Sequence, residues 1–225
     1  MTFSIAGRCA RTGMLGVAIT TSSICVAARC PWARAGVGAV VTQNVTDPAL
    51  GPAVLDLLAD GMSAAEALAR ITRDRPHIEH RQLAVVDSHG ATAHFTGTET
   101  LGTHGAAEGP ACVAVGNLLA AAAVPQAMAA AFTKNPGRPL ADRLLAALAA
   151  GQDAGGEVGP VRSAGLLVVD EAVWPVIDLR IDWNEDDPIA ALSALWRAYE
   201  PQMVDYVTRA RDPEAAPSYG VPGDP

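Results

Sequence analysis

The alternation of apolar and polar positions begins with the first residues of the chain. Phe3 and Ile5 alternate with polar or small residues, which predicts a strand from Thr2 to Arg8. A short turn follows, and the apolar positions from Met14 to Thr20 predict a second strand. Strands this close in sequence form an antiparallel hairpin, because a parallel crossover requires about a dozen residues or more.

The pattern along the rest of the chain predicts groups of strands that alternate with pairs of helices. Asp47 and Pro48 mark a helix start as N-cap and first-turn residue, and Ser63 with Glu66 forms a capping box for a second helix. Further strands are predicted at residues 24–28, 36–42, 82–87, 91–96, 111–115, 163–170 and 176–182. Helices are predicted at residues 48–60, 64–73, 119–132, 140–150 and 188–199, the last continuing toward residue 209.

This order of elements favours an α+β protein with a mixed or antiparallel two-sheet core between layers of helices. The early hairpin argues against a doubly wound parallel sheet, which needs a helix between successive strands. We expect a single domain over residues 1–210, since no internal repeat or separating linker is visible. Residues 211–225 are rich in proline, glycine and acidic residues, which predicts a disordered tail.

Composition narrows the possible partners. The net charge is −8, with 16 basic against 24 acidic residues, and Lys134 is the single lysine. An acidic surface is a poor match for a nucleic-acid backbone or an anionic membrane, and no uninterrupted apolar run reaches the roughly 20 residues of a membrane-spanning helix. We therefore expect a small-molecule substrate, with neither nucleic acid nor membrane as a partner.

The cysteines and the start of the chain favour a cytoplasmic location. Cys9, Cys25, Cys30 and Cys112 show neither a CxxC motif nor zinc-ligand spacing. The predicted first strand begins at residue 2, so we expect no targeting segment. We interpret the four thiols as reduced and mostly buried.

Motifs for metals and cofactors are weak. His77 and His80 are three residues apart, but Pro76 favours a loop there and no third ligand has a matching spacing. The glycine-containing segments lie within or before strands, so they are not phosphate-binding turns before a helix. No Gly-x-Ser-x-Gly element supports a serine triad. We expect no metal and no cofactor.

Thr2 is the strongest candidate for catalysis. Loss of Met1, which is normal before a small residue, leaves Thr2 with a free α-amino group beside its own hydroxyl. An α-amine titrates near pH 8 and can accept the hydroxyl proton, so the pair combines nucleophile and base. The alternative is that Thr2 is simply the second residue of an ordinary strand.

Polar residues at other predicted strand ends are candidates to support Thr2. The hairpin places it opposite Thr20 to Ser22, and Arg29 returns toward the same edge, where it either lowers the amine pKa or pairs with surface acids. Asn44 and Asn117 each precede a helix, a position that suits either an oxyanion donor or a helix cap. Cys30 is an alternative nucleophile or a packing residue. The supporting candidates are Thr21, Ser22, Arg29, Gln43, Arg162 and Ser163.

Several segments together resemble an N-terminal nucleophile (Ntn) hydrolase-like family of bacterial proteins of unknown function. The resemblance rests on the Met-Thr-Phe-Ser-Ile start, the Pro-Trp-Ala-Arg-Ala-Gly-Val-Gly-Ala run from Pro31, Thr42-Gln43, the Gly-Asn-Leu-Leu-Ala run from Gly116, and Arg162-Ser-Ala. It covers approximately residues 1 to 200.

The resemblance implies a four-layer αββα sandwich with Thr2 as the nucleophile of an amidohydrolase. It also implies an oxyanion site near Gln43 to Asp47, a contribution from Asn117, and a homo-oligomer, a dimer or higher. The chain departs from the superfamily pattern, because no lysine occupies the position of the essential lysine in proteasome subunits. A catalytically silent binding or assembly protein is the alternative, and the role of Glu79 and His80 stays open.

Overall fold

The computed structural model describes residues 1–218 and 220. Within these residues the chain forms ten strands: β1 (Thr2–Arg8), β2 (Leu15–Thr21), β3 (Pro31–Arg34), β4 (Gly38–Asn44), β5 (Arg81–Asp87), β6 (Thr92–Thr96), β7 (Gly105–Gly109), β8 (Cys112–Asn117), β9 (Ser163–Val169) and β10 (Ile177–Ile181). The α-helices of the same residues are α1 (Leu50–Ala59), α2 (Ala64–Thr72), α3 (Val124–Lys134), α4 (Leu140–Asp153) and α5 (Pro188–Arg211).

The strands form two antiparallel sheets. One has six strands in the order β10-β9-β2-β1-β8-β7, and the other has four in the order β3-β4-β5-β6. Strand β1 lies inside the larger sheet, where Thr2 is directly opposite Thr21 on one side and Asn117 on the other. The start of the chain is therefore held by two neighbouring strands, although chain termini are usually loose.

The two sheets stack face to face between two layers of helices, which confirms the predicted four-layer αββα sandwich. Each interface has its own apolar core. Helices α3, α4 and α5 cover the six-stranded sheet around Phe3, Phe132 and Leu144. The space between the sheets contains Ala6 and Val41, among others. Helices α1 and α2 cover the four-stranded sheet through a third cluster that includes Val40, Val54 and Leu83.

The alternation along β1 decides which residues meet the second sheet. Phe3 and Ile5 belong to the helix-facing cluster, whereas Ala6 belongs to the cluster between the sheets. Because successive side chains of a strand point to opposite faces, Thr2 and Ser4 share the face of Ala6. The first polar residues of the chain thus lie in the interior between two sheets.

Three strand assignments differ from the sequence prediction. Residues 24–28 do not form a strand, because Cys25 has a left-handed φ of 55° and Val26–Ala28 forms a 3₁₀ turn. Strand β3 begins at Pro31, a residue that strands tolerate at a sheet edge. Strand β7 consists of the small residues Gly-Ala-Ala-Glu-Gly, whose weak β-propensity conceals a strand formed by pairing with β8.

Two helices begin later than predicted. Helix α1 begins at Leu50, and the Asp47 carboxylate accepts the Ala49 N–H (3.1 Å), so Asp47 caps the turn before the helix. Helix α3 begins at Val124, because Leu119 forms a β-bridge with Glu157 and the Ala120 N–H donates to the Gly156 carbonyl (3.0 Å) instead of entering a helix.

The last helix is longer than predicted. It extends to Arg211, and a single 3₁₀ turn follows at Pro213–Ala215. Of the predicted disordered tail, residues 219 and 221–225 lie outside the described residues. No α-helix in the described part of the chain combines the length and the hydropathy needed to cross a bilayer.

Candidate functional site

A row of buried polar side chains crosses the end of four adjacent strands. The register places Asn117 opposite Thr2, Thr2 opposite Thr21, and Thr21 opposite Ser163. Directly opposed residues in antiparallel strands have their side chains on the same face, which here faces the second sheet. All four are at most 5% exposed. We call Ser163, Thr21, Thr2 and Asn117 the polar row; all four are among the residues predicted from the sequence.

The Thr2 hydroxyl lies at the centre of this row. Its oxygen is 3.1 Å from the Thr21 hydroxyl oxygen and donates to the carbonyl oxygen of Met1 at 2.5 Å. The Thr21 hydroxyl donates to the same Met1 carbonyl. One carbonyl oxygen thus accepts both hydroxyl protons, so the Met1–Thr2 peptide bond engages the donor hydrogens of both threonines.

The facing sheet contributes a network of two glutamine side chains. The Gln43 amide nitrogen donates to the carbonyl of Thr2 (3.4 Å) and to the Gln82 side-chain oxygen (2.8 Å). The same Gln82 oxygen accepts from the Asn117 amide at 3.2 Å, and the Ser4 hydroxyl donates to the Gln43 oxygen at 2.6 Å. This network holds the start of β1 against the second sheet. Gln43 was predicted from the sequence, whereas Ser4 and Gln82 were not.

Glu157 is a third residue of this region, after Ser4 and Gln82, that sequence reasoning missed. It is 6% exposed, one carboxylate oxygen accepts the Ser22 backbone N–H at 3.3 Å, and the other is buried without a hydrogen-bond partner. Burial raises the pKa of Glu157 to about 7, against the opposing effect of the nearby α-amino group of Met1. An acid in a glycine-rich loop is ordinary in sequence, and only its unpartnered burial identifies it.

The loop that carries Glu157 is attached to the site by an isolated β-bridge, which belongs to neither of the two sheets. Leu119 pairs with Glu157 across this bridge, and the Val158 N–H donates to the Leu118 carbonyl (3.0 Å). The loop is therefore attached to the segment that follows Asn117. This attachment brings the Glu157 carboxylate to the end of β1 and β2.

Asn44 does not lie beside Thr2. Its amide donates to the His80 carbonyl (2.6 Å) and its oxygen accepts the Leu101 N–H (3.3 Å). Gln43 faces β1, so the neighbouring residue on the same strand points to the other face of the sheet. Of the backbone N–H groups proposed for an oxyanion site, that of Val45 donates to the His80 carbonyl. Asn44 therefore connects loops at the sheet end.

The arginines predicted to support Thr2 are engaged elsewhere. Arg29 donates to the carbonyls of Ile24 and Cys25 and so closes the turn before β3. The Arg162 guanidinium donates to the Glu185 carbonyl and lies 5.9 Å from the Trp183 ring centroid. Only the Arg162 backbone meets the site, where its N–H donates to the Thr21 carbonyl at 2.7 Å.

Ser22 and Ser163 meet the site through different groups. Ser22 contributes its backbone N–H to Glu157. The Ser163 hydroxyl accepts from the Val26 N–H (3.2 Å) and donates to the Ser23 carbonyl (2.6 Å). Ser163 thus fixes the segment after β2 that carries Ser22, and it has no direct hydrogen bond with Thr2.

Cys30 is a poor nucleophile in this environment. It is 2% exposed, its sulfur lies 3.6 Å from the Thr46 hydroxyl, and burial raises the pKa of the thiol. A thiol whose pKa is raised by burial carries little of the reactive thiolate at neutral pH.

Glu79, whose role the sequence left open, is hydrogen-bonded to Thr98. Glu79 accepts the backbone N–H and the hydroxyl of Thr98, at 2.8 and 2.9 Å, and these bonds hold its pKa below the ordinary value. In the described residues no group of three or more histidines, cysteines, aspartates or glutamates could hold a metal ion. The four cysteines are free thiols.

Comparison with solved structures finds similarity over almost the whole chain. One similar structure is the crystal structure of protein SPO2555 from Silicibacter pomeroyi, which is described as matching the family model DUF1028. Its sequence is 34% identical to this chain, the alignment covers 93% of each chain, and the TM-score is 0.83. Anbu (ancestral beta-subunit) from Yersinia bercovieri is 11% identical over 92% of this chain and 97% of its own, with a TM-score of 0.42.

A second Anbu, from Hyphomicrobium sp. strain MC1, is 12% identical over 92% and 98% of the two chains with a TM-score of 0.39. Similarity at these TM-scores establishes nothing about this chain. No curated protein matches the sequence significantly. A family model described as a family of unknown function matches residues 2–192. The chain therefore belongs to the family of unknown function DUF1028.

Proposed function

We propose that this chain is an N-terminal nucleophile hydrolase that cleaves a small-molecule amide with Thr2 after Met1 is removed. The observation that carries the proposal is the contact of the Thr2 and Thr21 hydroxyls with the Met1 carbonyl, inside a buried polar row. A terminal nucleophile needs its hydroxyl beside its own α-amino group, and removal of Met1 would create that pair within the polar row.

Removal of Met1 changes three properties of the site together. It creates a free α-amino group on Thr2, releases both hydroxyls from the Met1 carbonyl, and vacates the space of the Met1 side chain. That side chain lies against the loop of Glu157, because its terminal methyl carbon is 3.7 Å from where a Cβ on Gly159 would stand. The vacated space beside Gly159 is suited to a small acyl group.

The proposed reaction proceeds through a covalent ester. The Thr2 oxygen attacks the amide carbonyl carbon while its proton passes to the Thr2 α-amine, and the ammonium then gives a proton to the departing amine. Water, deprotonated by the same α-amine, attacks the ester, which releases the carboxylic acid and restores the hydroxyl. The Asn117 amide uses one hydrogen on Gln82, and its second hydrogen is our candidate donor to the oxyanion.

Glu157 is our candidate for the proton-transfer role that a lysine would fill, since this chain has no lysine in that position. A carboxyl with a pKa of about 7 exchanges protons readily at neutral pH. Its unpartnered oxygen is available to orient the Thr2 ammonium or to accept its proton. We propose Glu157 as a positioning residue for the amine, with Thr21 fixing the hydroxyl.

The proposal includes a cytoplasmic homo-oligomer, as expected from the sequence. Four free cysteines agree with a reducing compartment. Light scattering combined with size-exclusion chromatography measures the oligomeric state directly, and a purely monomeric protein at micromolar concentration would remove that part of the proposal.

The deciding experiment compares two forms of one protein. A removable N-terminal fusion is cleaved so that either Thr2 or Met1 is the first residue, as verified by intact mass. Both forms are treated with an acylating β-lactone and assayed on a panel of small acyl anilides. We expect acylation of the tryptic peptide of residues 2–8 and amide turnover only in the form that begins with Thr2.

Two variants make the result specific. Thr2→Ser keeps a terminal hydroxyl and retains activity, while Thr2→Val abolishes it. Thr72→Val, at the half-buried last residue of α2, serves as the matched control. Equal labelling and turnover in the Thr2→Val protein would refute Thr2 as nucleophile. A protein that begins with Thr2 and shows neither labelling nor turnover would support the alternative, a catalytically silent binding or assembly protein.

A further inference from the structure

A cavity lies at the opposite end of β1 from Thr2. Its volume is about 720 Å³, within the usual range for small-molecule sites. Arg8, Arg11, Arg143 and His89 line it, and among the residues that the structure describes no aspartate or glutamate does so. We call this cavity the arginine cleft. Thr2 and Arg8 lie at the two ends of the seven-residue strand β1, about 20 Å apart, so the cleft is separate from the polar row.

Arg143 is the most buried of the three arginines that line the cleft. The residue is 6% exposed, and its Nε donates to the Phe132 carbonyl at 3.0 Å, near the end of α3. The guanidinium carbon lies 3.9 Å from the centroid of the Phe132 ring. These contacts explain the position of the side chain but provide no negative charge. Among residues 1–218 and 220, no carboxylate forms an ion pair with Arg143.

Arg8 supplies the second observation. Its Nε is buried and has no hydrogen-bond partner within the described residues, and its side chain extends to the turn of Gly90. This nitrogen is closed off from the cavity, so Arg8 contributes to the cleft through the charge of a guanidinium group that lines it. Neither Arg8 nor Arg11 forms an ion pair with a described acidic residue.

The charge of the whole chain makes this cluster unusual. Acidic residues outnumber basic ones by 24 to 16, yet three arginines converge here without an acid, while arginines such as Arg34 and Arg75 pair with aspartates. Guanidinium groups bind carboxylate and phosphate oxygens in bidentate geometry. We propose that the arginine cleft binds a small anionic ligand through its phosphate or carboxylate group.

The apolar part of the lining limits the kind of ligand. Ala10, Pro110 and Pro136 share the cavity with the arginines, so one side offers charge and the other an apolar wall. A small molecule with a compact anionic group and a short uncharged body matches both surfaces. Because the cleft is remote from Thr2, this proposal holds whether or not Thr2 is catalytic.

Isothermal titration calorimetry of the full-length protein tests the proposal with inorganic phosphate, pyrophosphate and citrate as probes. We expect saturable one-site binding of at least one probe, weakened by added NaCl because screening reduces the attraction. A phosphate-type probe that binds alone identifies a phosphoryl site, and citrate alone identifies a carboxylate site. Arg8→Gln should weaken binding about tenfold or more, and the charge reversal Arg11→Glu should weaken it as well.

Arg70→Gln, a charge removal on the exposed face of α2, is the matched control and should leave the affinity unchanged. Arg11 is exposed, so Arg11→Glu tests the cleft even if substitution at Arg8 disturbs folding, which circular dichroism detects. Two outcomes overturn the proposal: no saturable binding of any probe up to about 10 mM, or binding that Arg11→Glu and Arg70→Gln reduce equally.

Discussion

The hydroxyl oxygens of Thr2 and Thr21 lie 3.1 Å apart, on residues directly opposed in adjacent antiparallel strands. Both hydroxyls point toward the Met1 carbonyl. The contact depends on the sheet register, because a shift of one residue would turn one of the side chains to the helix-facing side. A residue at the extreme start of the chain is thereby supported as firmly as a core residue.

Removal of the Thr21 hydroxyl should impair catalysis more than folding. Thr21→Val keeps the shape but removes the hydroxyl that would bond to Thr2 once Met1 is gone, so we expect kcat/KM of the Thr2-initiated protein to fall by about 10- to 100-fold. The matched control is Thr20→Val, whose hydroxyl bonds instead to the Ser163 carbonyl (2.8 Å). Steady-state kinetics on the amide found in the panel measures both, and equal losses would show that the effect is only structural.

Glu157 should make the stability of the protein depend on pH. Burial raises its pKa from 4.5 to about 7, so between these values the folded state binds more protons than the unfolded state. The stabilisation is complete below about pH 4.5 and is lost as pH rises through 7. The unfolding free energy of the wild-type protein should therefore fall by on the order of 3 kcal/mol between pH 5 and 8. In the Glu157→Gln protein we expect this fall to be absent.

Urea denaturation at pH values across this window measures the effect. Glu99→Gln, a substitution at an exposed residue, is the control and should retain the slope of the wild-type protein. If Glu157→Gln showed the same slope as the wild type, Glu157 would not be the titrating group.

Gln82 should be the most sensitive residue of the amide network. Its side chain accepts from Gln43 and Asn117 and donates to the Gly116 carbonyl (3.1 Å). Gln82→Ala leaves those buried groups unsatisfied, so we expect a loss of about 2–4 kcal/mol in unfolding free energy. Gln202→Ala on the exposed side of α5 should change it by less than about 0.5 kcal/mol; similar losses in chemical denaturation would contradict the network.

Gly51 should resist replacement by alanine, because α1 packs closely on β3. A Cβ at this position would stand 2.1 Å from Cδ1 of the Trp32 indole. Overpacking of this kind costs about 1–3 kcal/mol, which exceeds the roughly 1 kcal/mol that alanine gains in helix propensity. Gly137→Ala, with no atom within 4 Å of the added carbon, should be neutral or slightly stabilising in thermal melts. A stable Gly51→Ala protein would show that the indole moves freely.

The sequence predicted most of the fold because its signals are local. Alternation marked β1 and β2, and the Ser63–Glu66 capping box marked the start of α2, where the structure has it. Strand β7 was missed because five small residues carry no pattern, and it forms only through pairing with β8. The same limit applied at residues 24–28, where a left-handed Cys25 ends the strand pattern.

By itself the sequence determined that Thr2 begins a buried strand and that hydroxyls stand opposite it, since a hairpin's register follows from its turn and its alternation. Only the tertiary structure decided that Gln43 rather than Asn44 faces Thr2, and that Glu157 lies beside Ser22 across 135 residues of sequence. The order of strands in a sheet and the stacking of two sheets depend on distant segments, and neighbouring residues carry no information about either.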